Sequence, residues 1–127
     1  MTQPEAEQFF RAYARAFDAF DAKAIASYCD LPCVITGPDR SGALVTAEQV
    51  VRNFEAVNDN HRALGYHRAV LTACAVIRTI GASFAEADVM WSFRRDDDSE
   101  IYAFPMTYLL RKPADQWKIS CAISPDP

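Results

Sequence analysis

The chain of 127 residues is notable first for what it lacks. It has no glycine-rich loop of the kind that cradles phosphates, and no serine set in a strand-to-helix nucleophile elbow. No run of about 18 apolar residues occurs, so no segment reads as a membrane-spanning helix. There is no basic face either: Arg94-Arg95 runs straight into Asp96-Asp97-Asp98, and the net charge is −4. Nucleic acid and anionic membrane surfaces are therefore not expected partners. Histidine is scarce, with only His61 and His67, and neither forms a metal-ligand spacing with a carboxylate pair. No metal and no cofactor are expected. The opening "MTQPEAEQ" lacks the basic start and apolar core of a signal peptide, which points to the cytoplasm and to reduced thiols. No repeat, low-complexity tract or linker appears, so residues 1–127 read as one domain.

What is present is a chain that is 50% hydrophobic and 12% aromatic. At this length it can bury a core without disulfide or metal staples. Phe10, Tyr13, Phe17 and Phe20 recur at helical spacing, which predicts a first helix over 3–20, opened by a Thr2/Glu5 capping box. Asp21 caps a short second helix with Ile25 and Tyr28 facing inward. Thr46 and Gln49 form another capping box, opening a third helix on Val50, Phe54, Val57 and Leu64 that Gly65 ends. From Tyr66 the apolar period changes to two. Strands are predicted over 66–80, 84–95, 100–111 and 116–123, joined by short hairpin connections and hence antiparallel.

The stretch Ser27–Pro38, "SYCDLPCVITGP", places Cys29 and Cys33 around an aspartate. Zinc sites usually want a second closely spaced pair, and thioredoxin-like motifs want a two-residue gap inside a βαβ unit. Neither is present. The stretch reads instead as a helix giving way to a strand over 32–36, because Pro32 disfavours helical geometry at Leu31. The residues 37–42 that follow, "GPDRSG", read as a turn cluster.

The element order, with "AYARAFDAFDAKAIASYC", "LPCVITGP", "TAEQVVRNF" and "TYLLRKPADQWKIS", resembles the nuclear transport factor 2-like superfamily, in its SnoaL-like and ketosteroid-isomerase-like branch. The resemblance spans nearly the whole chain. It implies an α+β, cystatin-like fold: a cone-shaped barrel of strongly bent, mixed but mainly antiparallel sheet around three helices, commonly a homodimer through the outer sheet face. Members include isomerases, cyclases, dehydratases and proteins that only bind, so fold alone leaves function open. In the isomerase branch the oxyanion tyrosine matches Tyr13, and a supporting tyrosine matches Tyr28. The general base would fall at Gly37 and the protonated acid at Thr107. Glycine cannot take a proton, so the ordinary steroid-isomerase mechanism is disfavoured.

These readings leave Tyr13 and Asp88 as candidate catalytic groups. Asp88 pairs with Thr107 across a hairpin whose tip is 96–99, and burial would make it an unconventional base. Phe10, Phe17, Tyr28, Phe54, Trp91 and Thr107 are candidate ligand contacts. Which sheet face looks inward stays open here. Hydrophobicity turns Trp91, Phe93, Tyr102, Phe104, Met106 and Tyr108 to the core, whereas the Thr107 match turns them outward. His61 falls on the inward stripe of the third helix. The expected function is binding of a small apolar or amphipathic molecule, with metal-independent isomerisation, dehydration or cyclisation as the chemistry. The alternative is a non-catalytic dimerisation or docking module using the aromatic sheet face.

Overall fold

The computed structural model describes residues 1–126. Helices α1 (Gln3–Asp18) and α2 (Ala22–Ala26) precede strands β1 (Cys29–Gly37) and β2 (Arg40–Leu44). Helix α3 (Ala47–Ala63) is followed by β3 (Arg68–Ile80), β4 (Phe84–Arg94), β5 (Glu100–Arg111) and β6 (Lys118–Ile123). Among the described residues no helix is long and apolar enough to cross a membrane.

Both predicted capping boxes form. Glu5 N–H donates to Thr2 Oγ1 at 3.2 Å, and Thr2 N–H donates to Glu5 Oε1 at 3.0 Å. Thr46 and Gln49 repeat the arrangement at α3. Each box satisfies amide donors that a helix start leaves unpaired. Helix α1 stops two residues short of the predicted end, because Phe20 takes a left-handed φ of 53° and turns the chain into the Asp21 cap. Gly65, at φ 78°, closes α3 as expected.

The six strands form one sheet in the order β2-β1-β6-β5-β4-β3. Only β1 and β6 run parallel; the other neighbours are antiparallel, so the sheet is mixed. It is not closed: β2 and β3 are free edges, and a barrel in the strict sense is not formed. Strand β3 carries bulges near Thr72 and Ile77, which bend a long strand. Its edge is partly capped by Gln3. The Gln3 Nε2 amide donates to the Cys74 carbonyl at 2.6 Å, and Val76 N–H donates to Gln3 Oε1 at 3.1 Å.

Two sequence expectations need correcting. First, 37–42 is not only a turn: Arg40–Leu44 pairs back on β1 from Gly37↔Arg40 to Cys33↔Leu44. An exposed edge strand of Arg-Ser-Gly-Ala-Leu has no apolar alternation to betray it. Second, β1 begins at Cys29, not Pro32, and its register with β6 shifts between Cys29 and Val34 around a cis Leu31–Pro32 peptide. Cys29 and Cys33 are buried free thiols, and a hydrogen bond with Cys33 together with burial pushes the Cys29 thiol up. Asp30, between them, pairs with Arg111 Nε at 2.5 Å, which holds its carboxyl below the usual range.

The inward face is settled by alternation along β4. Ala85, Ala87, Val89, Trp91 and Phe93 are all buried, and Asp88 is exposed. The aromatic face therefore lines the interior, and hydrophobicity, not the Thr107 match, locates it. Phe10, Ile25, Val50, Leu110 and Ile119 make the fully buried centre of the core.

A second polar tie joins the far end of α1 to the start of β3. Asp18 Oδ1 accepts from the Tyr66 hydroxyl at 2.8 Å and from Ala69 N–H at 3.0 Å. Asp18→Ala leaves both donors unpaired and should cost about 1–3 kcal/mol in urea unfolding, while Tyr66→Phe, which removes one bond and its donor together, should cost about 1 kcal/mol.

Candidate functional site

The two periodicities of the chain bring their aromatic residues to one hollow. Helix α1 supplies Tyr13 and Phe17 one turn apart, and α3 supplies Phe54, Val57 and His61 on a single stripe. Strand β4 contributes Trp91 and Phe93, and β5 contributes Tyr102, Phe104, Met106 and Tyr108 from alternate positions. Together they enclose a cavity of about 440 Å³ between the inner sheet face and the helices. This lies within the usual range for small-molecule sites, about 300–1,000 Å³.

The cavity has a buried floor and an exposed mouth. Tyr13, Phe54, His61, Trp91, Phe93 and Tyr108 are buried, whereas Arg40, Ser41, Gly42 and Tyr102 are exposed. The floor is a mesh of edge-to-face rings. Tyr13 meets Phe17 at 5.0 Å and 88°, and Tyr108 at 6.4 Å and 84°. Phe17 meets Phe54 at 5.6 Å and 84°. These are favourable quadrupole arrangements that hold the walls without filling the centre.

Four polar groups punctuate this floor. The Trp91 Nε1–H donates to Tyr108 Oη at 3.0 Å. Tyr108 is thereby the acceptor, and among the described residues its own hydroxyl proton has no acceptor. The Tyr13 hydroxyl likewise has no partner among the described residues. Burial pushes both phenols up, and the neighbouring Tyr108 adds to the effect on Tyr13, so both stay protonated donors at neutral pH. His61 is only 7% exposed and lies flat on Tyr66, with ring centres 4.7 Å apart and planes at 20°. Phe93 meets it edge-on at 5.0 Å. Its Nδ1 is buried without a partner among the described residues, and burial lowers its pKa, so the imidazole is neutral at pH 7.

Of the residues singled out from sequence, Tyr13, Phe17, Phe54 and Trp91 line the cavity. Phe10 lies fully buried behind it, packing on Tyr108 at 4.8 Å and Trp91 at 6.4 Å. Tyr28 packs on Phe9 and Tyr13 at 5.5 and 5.6 Å but does not line the cavity. Asp88 and Thr107 are paired as expected, yet on the opposite face: Thr107 Oγ1–H donates to Asp88 Oδ1 at 2.7 Å, outside. Asp88 is therefore exposed and not buried, and neither it nor Thr107 lines the cavity. A residue at an odd position of β4 points in, and Asp88 is even. Tyr108 is legible in the sequence as part of the aromatic alternation but not as a polar group. Arg40, Ser41 and Ser124, at or near the mouth, carry no sequence signal, because nothing in the residues of β2 marks it as a strand.

With this geometry in view, the chain belongs to the NTF2-like protein family DUF6841, which matches residues 4–127. No curated protein matches the sequence. Among solved structures, an NTF2-like protein of unknown function from Shewanella oneidensis is similar at 16% identity, covering 99% of this chain and 100% of that one, with a TM-score of 0.77. An NTF2-like protein with a cystatin-like fold from Novosphingobium aromaticivorans has 12% identity, 97% and 80% coverage and a TM-score of 0.75. A provisionally assigned aromatic ring hydroxylase from the same organism has 17% identity, 98% and 88% coverage and a TM-score of 0.71. At these identities the likeness establishes the α+β, cystatin-like fold and nothing about activity.

His61 yields a pH dependence whose sign is fixed. Its folded-state pKa is lowered, so the unfolded chain takes up a proton first as pH falls. Its contribution is complete above the unfolded value, about 6.5, and is lost below it. Urea midpoints taken from about pH 7.5 to about pH 5 should fall more for the wild type than for His61→Phe, which keeps the ring stacking and cannot titrate.

Proposed function

We propose that the chain binds a small apolar or amphipathic molecule, with a flat ring body, in the cavity between sheet and helices. The observation that carries this reading is an aromatic hollow of about 440 Å³ whose floor holds two phenol donors without acceptors among the described residues. Both phenols line the hollow, where a guest's oxygen atom would accept a hydrogen bond from either. The edge-to-face rings offer their faces and edges to a planar guest of about two or three fused rings. A neighbour of the same fold, the provisionally assigned aromatic ring hydroxylase, is compatible with a guest of that class.

Chemistry on such a guest would draw on the same floor. Tyr13 and Tyr108 would donate to a carbonyl oxygen as charge develops on it, in a site where water does not compete. His61, neutral and facing the hollow, would take or return the proton. That combination supports metal-independent isomerisation, dehydration or cyclisation. It differs from the pattern of a carboxylate base, because among the described residues no aspartate or glutamate lines the cavity.

Self-association is the second reading, and it belongs to the outer sheet face. The aromatic face is interior and unavailable. The outer face presents Val34, Met90, Pro105, Leu109 and Ile123, with Leu109 38% exposed. An apolar face of this kind is characteristic of an interface between copies.

Two experiments test these readings. Calorimetric titration with 2-acetylnaphthalene should show binding that Ala122→Phe, which fills the hollow, abolishes. Tyr13→Phe should weaken the ketone about fivefold and leave naphthalene unaffected, as expected for one lost hydrogen bond. Sedimentation equilibrium should give a dimer mass for the wild type and a monomer mass for Leu109→Glu; a wild-type monomer at micromolar concentration removes the second reading.

A further inference from the structure

We infer that the guest of this cavity carries one negative charge, a carboxylate or its equivalent, and that Arg40 at the mouth is its counter-ion. The inference deepens the binding reading above and rests on it. The chain has 17 acidic residues against 13 lysines and arginines. It is acidic overall, yet among the described residues no aspartate or glutamate lines the cavity, and Arg40 is the one lining residue with a full charge at neutral pH. A net-negative protein that clears every carboxylate from one hollow and leaves a guanidinium at its entrance has a local potential opposite to its overall charge.

Arg40 is also free to act. Six other arginines of the chain are held by carboxylates: Arg52, Arg62, Arg68, Arg78, Arg94 and Arg111. Arg40 makes no such pair among the described residues. It opens β2, the edge strand of the sheet, and is exposed. Beside it the rim is open, since a Cβ placed on Gly42 would meet nothing within 4 Å. Ser41 and Asn53 line the cavity too and add neutral donors for a second carboxylate oxygen, whereas the Ser124 hydroxyl, also on the lining, donates to the Asp126 carbonyl at 3.1 Å. The polar groups are thus divided between ends. Phenols on the floor suit a neutral oxygen, and a guanidinium at the mouth suits an anion, with aromatic walls between. A guest of this design is an amphipath: a ring body with an acceptor at its inner end and an acid at its outer end.

The test uses naphthalene-2-carboxylate and its neutral counterpart naphthalene-2-carboxamide, titrated calorimetrically into the intact chain. The wild type should prefer the carboxylate by about tenfold, as expected for a charge-assisted hydrogen bond. Arg40→Gln should abolish that preference, and Arg40→Lys should restore part of it. The preference should shrink as salt is raised. Equal binding of both probes by the wild type, or a preference that survives Arg40→Gln, overturns the inference and spares the cavity reading. Binding of neither probe, together with none of 2-acetylnaphthalene, overturns both.

Discussion

The hydrogen bond from Trp91 Nε1–H to Tyr108 Oη governs the site. An indole N–H cannot be buried without an acceptor except at a cost, and in this interior the acceptor is a phenol on the next strand. Meeting that demand fixes both rings. It also decides the polarity of the floor, because a phenol already accepting from Trp91 has its proton left to give. Tyr13, its ring centre 6.4 Å from that of Tyr108, is a second phenol on the same lining. The packing of Phe10 behind both rings, fully buried, keeps them from turning away.

Much of the fold can be read directly from the chain, for identifiable reasons. Capping boxes are local, so Thr2/Glu5 and Thr46/Gln49 announce their helices whatever surrounds them. The hairpin breaks at 81–83 and 96–99 separate long runs of period two, so β3, β4 and β5 are legible to within a residue or two. Strand β2 is different. Most of its residues are exposed at the sheet edge, and what makes it a strand is pairing with β1, a tertiary fact absent from its own sequence. The same holds for Cys29, which begins a strand through its partner Ile119 and not through any local signal.

The site is legible only in part, and the errors share one cause. A strand offers two faces at a spacing of one residue, so a one-place error in matching a family pattern exchanges inside for outside. Matching Thr107 to a family acid does this, and it carries Asp88 with it. The correct inward neighbours are Met106 and Tyr108. Helical residues are safer: Tyr13, Phe17 and Phe54 lie on stripes wide enough to absorb such a shift. Composition alone favours Tyr108 over Thr107, since Tyr102, Phe104, Met106 and Tyr108 form an unbroken apolar set.

Losing Asp88 changes the chemistry the hollow can support. A carboxylate base beside two phenols would be held charged or neutral by a balance of burial and hydrogen bonds. Nothing of that kind is required of His61. An imidazole is a competent base when neutral, and burial, which disfavours charge, keeps it neutral. Its buried Nδ1 has no partner among the described residues, so no group there fixes its tautomer. Once protonated it would be a cation in an apolar enclosure, stabilised best by negative charge forming on the guest nearby. In the proposed chemistry, base and developing anion would assist each other across the hollow, in a site that the chain's own described carboxylates do not line.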